Sequence, residues 1–297
     1  MTQLALREPE ERDDVAQSIE RVRLYELSIG LVEDVRSRPR VCSGRTGFSP
    51  DFQLAFPYRG LVVWNVASEE VVGDANQVLF VTGGEDYRLD QPVTGGFAEL
   101  IFTPSAPLMA ELLESGEEAL NARAAFRQRR RRLDPALQSF RGQFLSWAHA
   151  HPFEEPLAAE ERILSLVRAA LASRAPVRAP RSPQRLVRRA KEFLEAELHR
   201  PIKLVEIGQS VGASPTYLTH LFRAVEGIPL HRYLTQLRLA RALVELPHTA
   251  DLTALALDLG FSSHSHFTAV FRRAFGVAPS RYRQGLGTAP TPVMVRA

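Results

Sequence analysis

The sequence predicts an α+β chain in two parts. An antiparallel sheet folded into a sandwich or barrel, with helices packed on it, is followed by an all-α segment holding two helix-turn-helix units joined by a linker helix. Three observations carry this. Residues 20 to about 104 hold short apolar runs broken by turn residues, as strands of a folded sheet do. From Ser105 the apolar period becomes that of helices. From residue 184 the helical pattern repeats itself at a shift of 49 residues.

The sheet runs are "RVRLYELSIGLVEDV", "FQLAFPYRGLVVWNVA", "EEVVGDANQVLFVTGG", "YRLDQPV" and "FAELIFTP", with "GDAN", "TGGED" and "TGG" as turns. Tyr58, Trp64, Phe80, Tyr87 and Phe97 fall in them and are expected in the core. Helices are expected near 106–120, 122–132, 135–149 and 157–173. In the last, Ile163, Leu164, Val167, Ala170 and Leu171 form one stripe that packs on its own domain. His149 and His151 end a helix, where an imidazole suits the negative end of the dipole better than it suits a metal. The run "RQRRRR" at 127–132 reads as a solvated helix face rather than a nucleic-acid grip.

"RAPVRAPRSP", residues 174–183, has prolines and no apolar period, so it is expected to be an exposed, semi-stiff linker. The expected domains are therefore 1–175, a linker at 176–183, a helical domain at 184–286, and a disordered tail at 287–297.

In "GFSSHSHFTAVFRRAFGVAPSRYR", residues 260–283, the apolar residues Phe267, Val270, Phe271, Ala274 and Phe275 follow helical spacing. His264 and His266 therefore diverge by roughly 200° and do not chelate one ion. Ser262 or Ser263 is the expected N-cap and Gly276 the left-handed C-cap. Thr216–Tyr233 overlays Ser265–Tyr282, matching Thr219 with Thr268, Phe222 with Phe271, Arg223 with Arg272, Gly227 with Gly276 and Tyr233 with Tyr282. Upstream, "LVEIGQSVG" matches "LTALALDLG", so each copy is a short helix, a tight turn and a second helix.

In such a unit the second helix enters the DNA major groove. Its outward face carries Thr216, Thr219, His220 and Arg223 in the first copy, and Ser265, Thr268, Ala269 and Arg272 in the second. Hydroxyls, imidazole and a methyl suit base edges, while arginine suits guanine or phosphate. Between the copies, residues 229–247 read as one helix of about 27 Å at 1.5 Å per residue. That length sets two reading helices near one DNA turn apart, about 34 Å. Arg232, Arg238 and Arg241 are expected near the DNA.

Charge agrees. Residues 181–297 hold 16 Lys and Arg against 8 Asp and Glu, whereas residues 1–180 hold 21 against 26. A basic segment joined to an acidic one suits a polyanionic partner. Cys42 is the only cysteine, which excludes an internal disulfide and a Cys-based zinc site. No apolar run is long enough to span a membrane, and the opening segment is too acidic and polar for a signal peptide, so a cytoplasmic protein is expected. All eight histidines lie at 149 or later, which leaves the sheet without the ligands of a cupin-type metalloenzyme. No phosphate loop or nucleophile elbow occurs, and no enzyme, cofactor or metal is expected.

Residues 184–284 resemble the AraC/XylS family of transcriptional regulators. "RLARALVEL" is similar to its linker-helix signature and "LGFSSHSHFTAVFRRAFGVAPSRYR" to its second-motif signature. The resemblance implies base contacts at Thr216, Thr219, His220, His264, Ser265 and Thr268. Arg223, Arg272 and Arg273 are the expected phosphate contacts. Ala269 departs from the family, whose members often carry a longer polar residue there, so the second unit is expected to lean more on phosphates. "GDANQVLFVTGGEDYRL" and "GGFAELIF" are similar to the family's cupin-like sensor domain. That likeness implies a small-molecule effector inside the barrel, a homodimer through helices such as 157–173, and RNA polymerase as a partner if the protein activates. The alternative is a DNA-binding regulator whose N-terminal domain only dimerises or binds a protein.

Overall fold

A computed structural model describes residues 19–39, 41–114, 116–153, 155–173 and 181–285. Among the described residues ten strands precede or interrupt the first helices: β1 (Ile19–Leu27), β2 (Gly30–Ser37), β3 (Cys42–Ser49), β4 (Gln53–Arg59), β5 (Leu61–Val66), β6 (Glu69–Asp74), β7 (Gln77–Val81), β8 (Glu85–Gln91), β9 (Ala98–Pro104) and β10 (Arg130–Arg132). They form two antiparallel sheets, ordered β1-β2-β9-β4-β7-β10 and β3-β8-β5-β6. Side-chain alternation explains both faces of the larger sheet. Leu54, Phe56 and Tyr58 of β4, with Leu100 and Phe102 of β9, point to the helices, while Ala55 and Ile101 point at the smaller sheet. Val62, Trp64 and Val66 answer them from β5. Four of the five expected core aromatics are buried; Tyr87 is half-buried and stacks on Trp64 at 5.6 Å.

Four helices cover the larger sheet: α1 (Ala106–Glu114), α2 (Glu117–Gln128), α3 (Pro135–Ala150) and α4 (Pro156–Ala172). The α4 stripe packs on its own half, with Ile163, Val167, Ala170 and Leu171 buried and Leu164 half-buried. His149 Nε2 lies 2.7 Å from the buried Asp34 carboxylate. Burial would raise the pKa of Asp34, but bonds from His149 and Tyr58 and the charge of Arg36 hold it below the usual value.

Two expectations are corrected here. The helix expected at 106–120 ends at Glu114, and Gly116, with φ of 92°, stands before a new one. The arginine run is not a solvated helix face. Arg129 turns left-handed, ending α2, and Arg130–Arg132 pair with β7 as an edge strand. Arg129 binds Glu85 through two bonds of 2.7 and 2.8 Å, and the buried Arg131 donates to the carbonyls of Leu171 and Asn121. These partners outweigh hydration because each guanidinium meets a carboxylate or several carbonyls in fixed geometry.

The C-terminal half is helical: α5 (Arg181–Glu197), α6 (Leu204–Val211), α7 (Pro215–Glu226), α8 (Leu230–Glu245), a short 3-10 turn (Leu246–His248), α9 (Leu252–Asp258), α10 (His264–Phe275) and α11 (Pro279–Gln284). Helix α5 begins inside the expected linker 176–183, whose residues 176–180 lie outside the described residues, as does the expected tail 287–297. Val187 and Leu194 of α5, Leu218 and Phe222 of α7, Leu237 of α8, and Phe267 and Phe271 of α10 share one core. The halves touch where α8 meets β4 and α3, and where α10 meets α3. Among the described residues no helix is long and apolar enough to cross a membrane.

Candidate nucleic-acid interface

Two helix-turn-helix units stand at the ends of α8, built alike. Helix α7 starts at Ser214, whose hydroxyl accepts from Tyr217 N–H, with Pro215 as its first residue. Helix α10 starts at Ser263, whose hydroxyl accepts from His266 N–H at 3.1 Å. Gly227 and Gly276 close them with φ of 74° and 79°, a region where a Cβ meets the following carbonyl. In the first unit the turn is tight because residue 208 is glycine: a Cβ there would lie 2.7 Å from the Ala213 carbonyl oxygen. The periodicity that buries Leu218 and Phe222, or Phe267 and Phe271, turns the opposite face outward.

That face carries the expected residues. Thr216, His220 and Arg223 are exposed on α7 and Thr219 is half-buried beside them. On α10, Ser265, Arg272 and Arg273 are exposed, and His264 and Thr268 are half-buried. The two histidines of "HSH" diverge: His264 Nε2 approaches the Thr268 hydroxyl at 3.4 Å, whereas His266 Nδ1 lies 3.0 Å from the Ser262 hydroxyl and its ring meets Phe261 edge-on. Among the described residues no group of three His, Cys, Asp or Glu is placed to hold a metal. Thr219 donates its hydroxyl proton to the Thr216 carbonyl at 2.9 Å, which leaves its oxygen lone pairs and methyl for a ligand. Thr219, His220 and Arg223 also wall a groove of about 340 Å³ with Ile207, His231 and Leu234.

The linker-helix arginines divide. Arg232 is exposed. Arg238 instead turns inward, donating to the Leu198 and Arg200 carbonyls, and burial lowers its pKa. Arg241 binds Glu195 at 2.8 Å. The expectation that Arg238 and Arg241 face DNA is thus corrected: α8 turns that side to α5 and its C-terminal loop. Sequence reasoning also passed over Tyr217, which is 54% exposed beside Thr216. Its signal was an aromatic residue off the apolar stripe in the first turn of a reading helix.

Two exposed, similarly capped helices with hydroxyl, imidazole and guanidinium groups define a DNA-binding protein of the double helix-turn-helix class. A family model described as a helix-turn-helix domain matches residues 207–285. The chain is similar to the regulatory protein SoxS of Salmonella typhimurium, 35% identical over 106 residues, covering 35% of this chain and 99% of SoxS. It is similar to the transcriptional activator RhaR of Klebsiella pneumoniae, 36% identical over 92 residues, covering 31% of this chain and 33% of RhaR. Among solved structures it is similar to an AraC-type transcriptional regulator from Chromobacterium violaceum, with 28% identity and a TM-score of 0.35, covering 37% of this chain and 100% of the other. The chain belongs to the AraC/XylS family of transcriptional regulators. It spans nearly all of SoxS but a third of RhaR, and the family model's match lies in the helical half.

Proposed function

We propose that the chain regulates transcription by placing α7 and α10 in successive major grooves of one DNA face, under control of a signal received by the sheet-bearing half. The observation that carries this reading is the twofold exposure of the same helix face, once on each reading head. Thr216, Thr219 and His220 read one half-site, and His264, Ser265 and Thr268 the other. Arg223, Arg272 and Arg273 hold phosphates. Residues 1–175 act as the sensor and dimerisation domain and 184–286 as the DNA-binding domain, in a cytoplasmic protein.

The case for an effector rests on Glu99. It alternates along β9 with helix-facing Ala98 and Leu100, so it shares with Ile101 the face turned to the smaller sheet. Burial pushes its carboxyl up to about 7 although Arg21 opposes the shift. A carboxyl buried between the two sheets suits a polar ligand. Thermal-shift screening of the full chain against small metabolites tests this: a stabilising compound whose effect is lost in Glu99→Gln supports it. Stabilisation only by a protein partner would favour the reading without an effector. In vitro selection of duplex DNA tests the DNA-binding reading independently.

A further inference from the structure

The helix that carries the first reading head ends in an acid where helix electrostatics favour a base. Glu226, in the last turn of α7, is buried. Its carboxylate lies 3.0 Å from Lys191 Nζ of α5 and 3.3 Å from Arg130 Nη1 of β10, and accepts from Gln77 Nε2 of β7 at 3.1 Å. Lys191 is 1% exposed, sits 3.4 Å from Asp74 of β6 and 5.0 Å from the centre of the Tyr233 ring. Tyr233, on α8, is fully buried and donates its hydroxyl to Asp74, and its carbonyl accepts from Asn76 Nδ2 at 3.3 Å. Two carboxylates thus face two cations across the boundary between the halves, without net charge.

We propose that this four-charge clasp couples the first reading head to the sensor sheet, so that the N-terminal half sets DNA affinity by holding α7 in its docked orientation. The inference rests on the DNA-binding reading above. The turn between β6 and β7 is its hinge point, gripped from both sides. Gln138 of α3 donates to the Ala75 carbonyl at 3.0 Å and to Asn76 Oδ1 at 2.8 Å, and the buried Arg141 reaches the Ala75 and Pro57 carbonyls. From the other side come Tyr233, Lys191 and Glu226. Any displacement of residues 74–77 therefore reaches the C-terminal end of α7 through direct contacts.

Lys191 Nζ makes no well-directed hydrogen bond among the described residues, so it is held by charge and by the Tyr233 ring. Removing one of Lys191 and Glu226 strands the other in a dry site, whereas removing both leaves Asp74 with the Tyr233 hydroxyl and the Asn76 N–H, and Arg130 with access to water. Docking leaves Thr216, His220, Ser265 and Arg272 exposed. The docked state is thus free to meet DNA, and in this proposal opening the clasp loosens α7 and weakens binding.

The test compares full-length wild type, Lys191→Met, Glu226→Gln and the double variant Lys191→Met/Glu226→Gln. It measures hydrogen exchange at amides 74–80 and 226–234, and affinity for a selected DNA site. The expected result is at least tenfold faster exchange in both segments and at least fivefold weaker DNA binding for each single variant. The double variant should recover most of both. If the single variants do not fold, the double variant is judged alone against wild type: recovery to within about threefold supports the clasp, and failure to fold overturns it. Unchanged exchange in folded single variants, tighter DNA binding, or faster exchange with unaltered affinity each overturns it. Wild type that binds no DNA would end the DNA-binding reading, and the exchange data would still report the clasp.

Discussion

The two reading heads share one local plan and differ in what stands behind them. Both begin on a serine cap, end on a left-handed glycine and bury a phenylalanine against a repeat-related tyrosine: Phe222 on Tyr233 at 5.1 Å, Phe271 on Tyr282 at 5.6 Å. Each tyrosine hydroxyl also reaches the N-terminal half. Tyr233 meets the Asp74 carboxylate, and Tyr282 donates to the neutral Ser139 carbonyl at 3.3 Å. Where the first head has buried, charged Glu226, the second has half-buried Phe275, against Phe271 and Tyr282. The same repeat position thus carries an acid that meets the N-terminal half in one copy and a ring packed within its own head in the other. Helical periodicity sets the head, while the neighbours of its last turn differ between the copies.

The largest expected difference between the heads is at that position. Glu226→Ala should cost about 3 kcal/mol of folding stability, because it takes the nearer carboxylate from buried Lys191 and the carboxylate from half-buried Arg130. Phe275→Ala should cost about 2 kcal/mol or less, since its ring is only partly buried. Urea denaturation of the full chain measures both; equal losses would erase the distinction.

DNA reading supplies the next contrast. Thr219→Ala with His220→Ala should cost about 1–3 kcal/mol at the preferred site and relax sequence preference at the first half-site. Arg272→Ala should weaken preferred and random duplexes more evenly and lower the salt slope by about one. Titrations at several salt concentrations separate the two outcomes. A longer polar side chain at Ala269, as in Ala269→Gln, should add preference at the second half-site, seen as altered selected sequences. The smallest effects should be common to both heads: Ser214→Ala and Ser263→Ala each cost about 1 kcal/mol, read as matching falls in Tm.

The heads were legible in the sequence because their signals are local. Cap residues, glycines and an apolar period lie within one helix, and the repeat reads them twice. The outward placement of Thr216, His220 and Ser265 follows from those signals alone. The seam was not legible. Lys191, Arg130, Asp74 and Glu226 come from four elements, and nothing in their spacing announces that they meet. The arginine run illustrates the point. Alone, "RQRRRR" has the composition of a solvated face; in the fold, Arg129, Arg130 and Arg131 have partners on β8, α7 and the end of α4. Arg238 and Arg241 were misplaced for the same reason: their partners, the Leu198 and Arg200 carbonyls and Glu195, lie some forty positions away in the chain. Glu226 did carry one local hint, as an acid in the last turn of a helix.

The measurement that tests the account most directly is in vitro selection of duplex DNA by the full-length protein and by His220→Ala, analysed position by position. The account predicts two half-sites about one helical turn apart for the wild type. In the variant, preference should be lost at one half-site and kept at the other. Selection that enriches no sequence, or a variant that selects the wild-type site unchanged at both halves, would contradict it.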